Sequence, residues 1–128
     1  MKKTLYNQLK DKYSAYNLEY EELCNDYDSN LDEKYTLAGK CDTLYDILML
    51  KDVKITASVI KYLKNSLQLC NSEYDKSLKH YGEAPKYKYL NHPMYYKGCI
   101  EIYEYVLRNV SCQRNKIRMF AYEVYQCI

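Results

Sequence analysis

Residues 3–51 read KTLYNQLKDKYSAYNLEYEELCNDYDSNLDEKYTLAGKCDTLYDILMLK, a run without proline and with one glycine, Gly39. Its apolar and aromatic positions fall at Leu5, Leu9, Tyr13, Tyr16, Tyr20, Leu23, Tyr27, Leu31, Tyr35, Ala38, Cys41, Tyr45 and Leu48. The steps between them are of three or four residues, the period of one helix face. A periodic run of this length exceeds an ordinary globular helix and predicts a coiled-coil-like arm, continuous or gently kinked over about 3–51. Its soft point is Asn25-Asp26-Tyr27-Asp28-Ser29-Asn30, rich in residues that prefer caps to helix interiors. Asn30 followed by Glu33 resembles a capping box, so a break there is the competing reading.

The pattern changes phase at Lys51-Asp52-Val53-Lys54, which reads as a tight turn between helices with Asp52 as N-cap. A second helix follows over about 54–81 on the stripe Ile55, Val59, Leu63, Leu67, Cys70, Tyr74, Leu78 and Tyr81, ended by Gly82. Residues 82–93 hold both prolines and form the clear loop; Pro93 suits a first helical turn capped by Asn91 or His92. The stripe resumes at Cys99, Ile102, Val106, Val110, Ile117, Phe120, Val124 and Cys127, as one helix or two over about 94–127 with a bend near 111–115. The fold class is therefore all-α in a single domain, residues 1–128, with long amphipathic helices forming a helical bundle or an extended coiled-coil-like hairpin.

An internal repeat supports this architecture. Gly39-x4-Leu44-x2-Ile47-Leu48 matches Gly98-x4-Tyr103-x2-Val106-Leu107. A glycine inside a helix costs about 1 kcal/mol relative to alanine, so two at equivalent places imply a use. The expected use is close approach of another helix. The long Lys/Glu/Tyr-rich N-terminal segment leading into Gly39-Lys40-x3-Leu44-x2-Ile47-Leu48 resembles small helical proteins of phages and prophages of low-GC bacteria. That class includes accessory proteins and some anti-CRISPR inhibitors. The resemblance covers residues 30–50 and the general composition, and it carries over no functional residue.

Composition narrows the classes of function. The mean hydropathy is -0.62, and no window approaches the roughly 20 apolar residues of a membrane span. The start, Met1-Lys2-Lys3-Thr4-Leu5, has two lysines but no apolar core of a signal peptide, so the expected location is the cytosol of a host cell. The six cysteines (24, 41, 70, 99, 112 and 127) include no pair closer than 13 residues, which argues against zinc spacing. Free thiols packing as small hydrophobes are expected. Asp26, Asp28, Asn30 and Asp32 imitate the start of a calcium loop, but Leu31 stands where its glycine belongs. A Cys99–His92 nucleophile pair lacks a supporting motif. No metal, no cofactor and no catalytic residue is assigned, and the chain reads as a binding protein.

The charge is divided. Residues 1–52 carry seven lysines against 11 acids, while residues 53–128 carry 12 Lys and Arg against six acids. Two patches stand out as candidate contact surfaces. Lys86, Tyr87, Lys88 and Tyr89, followed by Tyr95, Tyr96 and Lys97, interleave cations with rings and read as partner-binding. Arg108, Arg114, Lys116 and Arg118 form a basic stretch able to meet the phosphates of a nucleic acid. The expected partner is a host protein or nucleoprotein complex, with a small RNA- or DNA-binding regulator as the alternative. Homo-oligomers are expected too, because one chain of this size cannot cover seams of this length.

Overall fold

The computed structural model describes residues 4–26, 30–50, 57–83 and 91–126, and from Ser111 onward the backbone alone. Four helices follow in order: α1 (Leu5–Cys24), α2 (Leu31–Leu48), α3 (Ala57–His80) and α4 (Pro93–Gln126). Among the described residues there is no strand, and no helix is long and apolar enough to cross a membrane. The all-α helical bundle is what the sequence predicts.

The continuous N-terminal arm is not found. The run over 3–51 is two helices, broken within the Asn/Asp-rich segment. At the near end of the break the Asn25 N–H donates to the Glu21 carbonyl at 3.2 Å and α1 stops. At the far end the Asn30 carboxamide accepts the Asp32 N–H at 2.9 Å and starts α2. Asp32 and Glu33 sit in that first turn, where the helix dipole favours negative charge. The break lets α1 fold back antiparallel on α2, with Tyr13 against Tyr45 and Leu23 beside Leu37. Folding back buries Leu5 and Leu9 in the same core as Leu44 and Ile47, a gain that a straight arm would forgo.

The other helix ends follow their local signals. Thr4 caps α1, its hydroxyl accepting the Asn7 N–H at 3.2 Å. Gly82 follows α3 with φ +88, a left-handed conformation that a side chain would resist. The Glu83 N–H there donates to the His80 carbonyl at 3.0 Å. Pro93 opens α4, and His92 caps it through Nδ1, which accepts the Met94 N–H at 3.1 Å. The Asp52 cap lies outside the described residues. Residues 111–115, the expected bend, are helical within α4, which is a single element of 34 residues.

α4 is the centre of the bundle. It packs on α2 along one side and on α3 along another, while α1 packs on α2. α3 runs antiparallel to α4, with Cys70 meeting Cys99 and Tyr81 meeting His92. α2 and α4 run parallel, with Asp32 and Tyr35 beside His92 at one end and Gly39 beside Gly98 further along. The core is Leu5, Leu9, Leu44, Ile47, Leu63, Cys99, Ile102, Tyr103, Val106 and Val110, drawn from all four helices.

The two repeat glycines face each other. A Cβ on Gly39 would land on the Tyr95 carbonyl and come within 3.2 Å of the Cys99 nitrogen. A Cβ on Gly98 would land on the Thr36 carbonyl and come within 3.1 Å of the Lys40 nitrogen. Each glycine thus meets the residue three before and the residue one after its counterpart. This reciprocity makes α2 and α4 a local pseudo-two-fold pair, and the repeat is the sequence trace of that contact. The flanking helices share a spacing: Leu5, Leu9, Tyr16 and Tyr20 in α1 are set as Leu63, Leu67, Tyr74 and Leu78 are in α3. The bundle is two similar helical hairpins joined along their second helices.

Alanine at either glycine gains about 1 kcal/mol of helix propensity but drives a methyl group into a backbone carbonyl. Backbone cannot rotate away as a side chain does, so the clash decides the sign. Gly39→Ala and Gly98→Ala are each expected to destabilise the fold by about 2–3 kcal/mol in urea denaturation. The double variant should cost less than the sum, because the first methyl group already separates the helices. Neutral or stabilising single variants would show that the two helices do not touch there.

Candidate functional site

The sequence places its contact surface at 86–97, and the structure divides that segment. Lys86, Tyr87, Lys88 and Tyr89 lie outside the described residues. Tyr95 is not a free contact residue: its hydroxyl donates to Asp42 Oδ2 at 2.7 Å, bridging α4 to α2. The half-buried Tyr96 packs edge-on against it, with ring centroids 5.6 Å apart. Lys97 alone of the three is exposed. Just before them His92 is clamped at the meeting point of three helix ends. It stacks on Tyr35 at 4.6 Å, takes the edge of Tyr81 at 5.1 Å, and sets Nε2 3.5 Å from Asp32 Oδ1. Because Nδ1 accepts the Met94 N–H, the hydrogen-bond pattern assigns the neutral ring's proton to Nε2, facing Asp32. The role this gives His92 is to fix the start of α4.

The basic stretch is divided as well. Arg114, Lys116 and Arg118 belong to the C-terminal part of α4, where only the backbone is described. Arg108 is exposed on the rim of a groove of about 290 Å³ between α1, α2 and α4. Two lysines in that groove are already committed. Lys12 lies over the Tyr105 ring at 4.6 Å, and Lys40 lies over Tyr16 at 4.9 Å while pairing with Glu101 at 3.3 Å. These contacts tie α1 and α2 to α4 across their polar edges.

Two further grooves were hidden in the sequence because both depend on the α1–α2 reversal. One, of about 240 Å³, is lined by Tyr13, Asn17, Tyr20, Cys41, Asp42 and Tyr45. The seven-residue step from Tyr13 to Tyr20 marks one helix face, but nothing local says that α2 closes the other wall. The Tyr20 phenol is raised above its ordinary value, first by its hydrogen bond with Cys24 and then by burial. Burial pushes the Cys41 thiol up to about 11, with the neighbouring Asp42 carboxylate adding to the effect. The rim continues onto α2 as Tyr45 and Met49, one turn apart and 52% and 60% exposed. The other groove, about 320 Å³, gathers Glu19, Glu22, Asp26 and Glu33 over Leu23 and Leu37.

Among the described residues no group of three or more His, Cys, Asp or Glu is placed to hold a metal ion. Cys24, Cys41, Cys70 and Cys99 are free thiols. Cys99 and His92 do not share neighbours: the thiol contacts the Gly39 carbonyl at 3.5 Å, Thr43 and Cys70, while the imidazole contacts Asp32, Tyr35 and Tyr81. Comparison with protein-family models, curated proteins and solved structures returned no match.

Two tyrosines couple the site to stability. Burial, then the hydrogen bond to Asp42, raises the Tyr95 phenol far above its ordinary value. Burial pushes Tyr103 up from 10.0 to about 12, against a lowering hydrogen bond from Ser66. A phenol with a higher pKa folded than unfolded contributes its full stability below pH 10.0, and that contribution is lost as pH rises through about 12. For Tyr103 the two-unit difference corresponds to about 2–3 kcal/mol. Unfolding free energy measured by circular dichroism should therefore fall between pH 10.0 and about 12. Tyr103→Phe and Tyr95→Phe should each flatten that fall; unchanged slopes would show that the phenols titrate as exposed groups.

Proposed function

We propose that this chain is a non-enzymatic binding protein encoded by a phage or other mobile element. In this reading it lays a tyrosine-lined helix face on a host protein or nucleoprotein complex and blocks or tethers it. Inhibition of an anti-CRISPR kind is one specific version. The observation that carries the reading is the α1–α2 groove: Tyr13, Tyr20 and Tyr45 line it, and the Tyr45–Met49 rim leaves large apolar surface in water. Tyrosine supplies broad contact area with a polar tip at little cost in side-chain entropy, which is why it recurs at binding hot spots. The same exposed surfaces support self-association in the free protein.

The nucleic-acid reading draws less support from the geometry. Lys12 and Lys40 are spent on rings and on Glu101, which leaves Arg108 as the cation of that groove outside those contacts. A pull-down from bacterial host lysate, run with and without nuclease, separates the two. Retention of a protein partner should survive nuclease and moderate salt. Tyr20→Ala with Tyr45→Ala should weaken it at least tenfold, about 1.4 kcal/mol. Retention that vanishes with nuclease, falls steeply with salt, and is abolished by changing Arg114, Lys116 and Arg118 to Glu would favour the regulator instead.

A further inference from the structure

Asp42 and Tyr45 lie one turn apart on α2, and Tyr13 and Tyr20 two turns apart on α1. The antiparallel pairing of the helices brings that carboxylate among the three phenol rings in one groove. Asp42 is exposed, and the Tyr95 hydroxyl fixes it by donating to Oδ2 at 2.7 Å. A carboxylate accepts about four hydrogen bonds over its two oxygens, so the bond to Tyr95 leaves capacity for a further donor. Tyr13 packs on the core and leans on Tyr45, their ring centroids 6.3 Å apart and their planes inclined at 41°. None of the described residues lining this groove is basic. The cations that the chain lays over its own rings sit on Tyr6, Tyr16 and Tyr105 instead. We propose that the groove takes an arginine side chain of the partner protein, its guanidinium laid on the tyrosine rings and hydrogen-bonded to Asp42. Such a site rests on the reading of the α1–α2 groove as the contact surface and adds what that surface selects.

Three features favour a cation in this place. The face of a phenol ring carries the negative part of its quadrupole, so a cation within about 6 Å of the centroid is attracted. The Asp42 carboxylate adds a full negative charge, and charge-assisted hydrogen bonds to it are about twice as strong as neutral ones. The surrounding charges have the same sign. Burial is the first cause that raises the Cys41 thiol, but the Asp42 and Glu19 carboxylates add to it, and Lys40 opposes them more weakly. Arginine suits the groove better than lysine does. Its planar guanidinium stacks on an aromatic face while its edge N–H groups reach a carboxylate, and it is less strongly hydrated than a compact ammonium. A neutral side chain of the same shape could stack as well but would leave Asp42 without an opposite charge.

The test titrates the full chain with N-acetylarginine amide and follows the tyrosine ring signals by NMR. Saturable shifts at Tyr13, Tyr20 and Tyr45 are expected, with a midpoint in the millimolar range. The citrulline amide, a neutral urea of the same shape, should bind about tenfold more weakly, and the lysine amide should also bind more weakly. Asp42→Asn should cost the arginine amide about tenfold as well. That replacement keeps an oxygen for the Tyr95 hydroxyl, and unchanged Tyr95 and Tyr103 signals verify that the core persists. The proposal is overturned if the citrulline or lysine amide binds as tightly as the arginine amide. Unchanged affinity in Asp42→Asn, or no saturable shift at all, overturns it equally. The lysate pull-down separates this outcome from failure of the contact surface itself. Asp42→Asn should weaken retention of the partner, as the tyrosine changes should. Retention that Asp42→Asn spares but Tyr20→Ala with Tyr45→Ala removes would sink the arginine site and keep the groove. Retention that all these changes leave intact would sink both.

Discussion

The reciprocal contact of Gly39 with Gly98 governs how the rest of the molecule is arranged. Helix backbones approach this closely only where both surfaces lack a Cβ, and here each glycine opposes a carbonyl of the other helix. The close approach pairs α2 and α4 in parallel, an orientation in which their dipoles lie side by side and repel. Antiparallel partners, α1 on α2 and α3 on α4, offset that arrangement. With the central pair set, Leu44 and Ile47 meet Ile102, Val106 and Val110, and the outer helices have a core to cover.

Function, in the reading offered above, follows from what this packing leaves uncovered. A pseudo-symmetric pair of hairpins buries its leucines and valines but cannot bury all 18 tyrosines. Some are taken into the frame: Tyr95 against Asp42, Tyr103 in the core, Tyr35 beneath His92. Others, such as Tyr45 and Tyr62, are left with rings in water. The two hairpins are alike in helix spacing but not in charge, since the first half of the chain is acidic and the second basic. A partner reading the α1–α2 grooves therefore meets carboxylates and phenols.

Helical class, the positions of the long stripes, and the signals at Gly82 and Pro93 were legible in the chain, because each depends on residues within a turn or two of one another; the Asn30 cap was legible only as the competing reading to a continuous arm. The use of Gly39 and Gly98 for close helix approach was legible too, from the cost of a glycine in a helix. What the sequence alone determined is the helical class, the helix ends at Gly82 and Pro93, and which face of each rod is apolar. Whether residues 25–30 bend or break was decided only in three dimensions, since local propensity balances there and the burial of Leu5 and Leu9 tips it. Tertiary structure also decided that the two glycines meet each other, that Tyr95 is spent on Asp42, and that Tyr13, Tyr20 and Tyr45 share a groove. Each of those facts joins residues far apart in the chain, and periodicity along one helix carries no information about which helix comes to lie beside it.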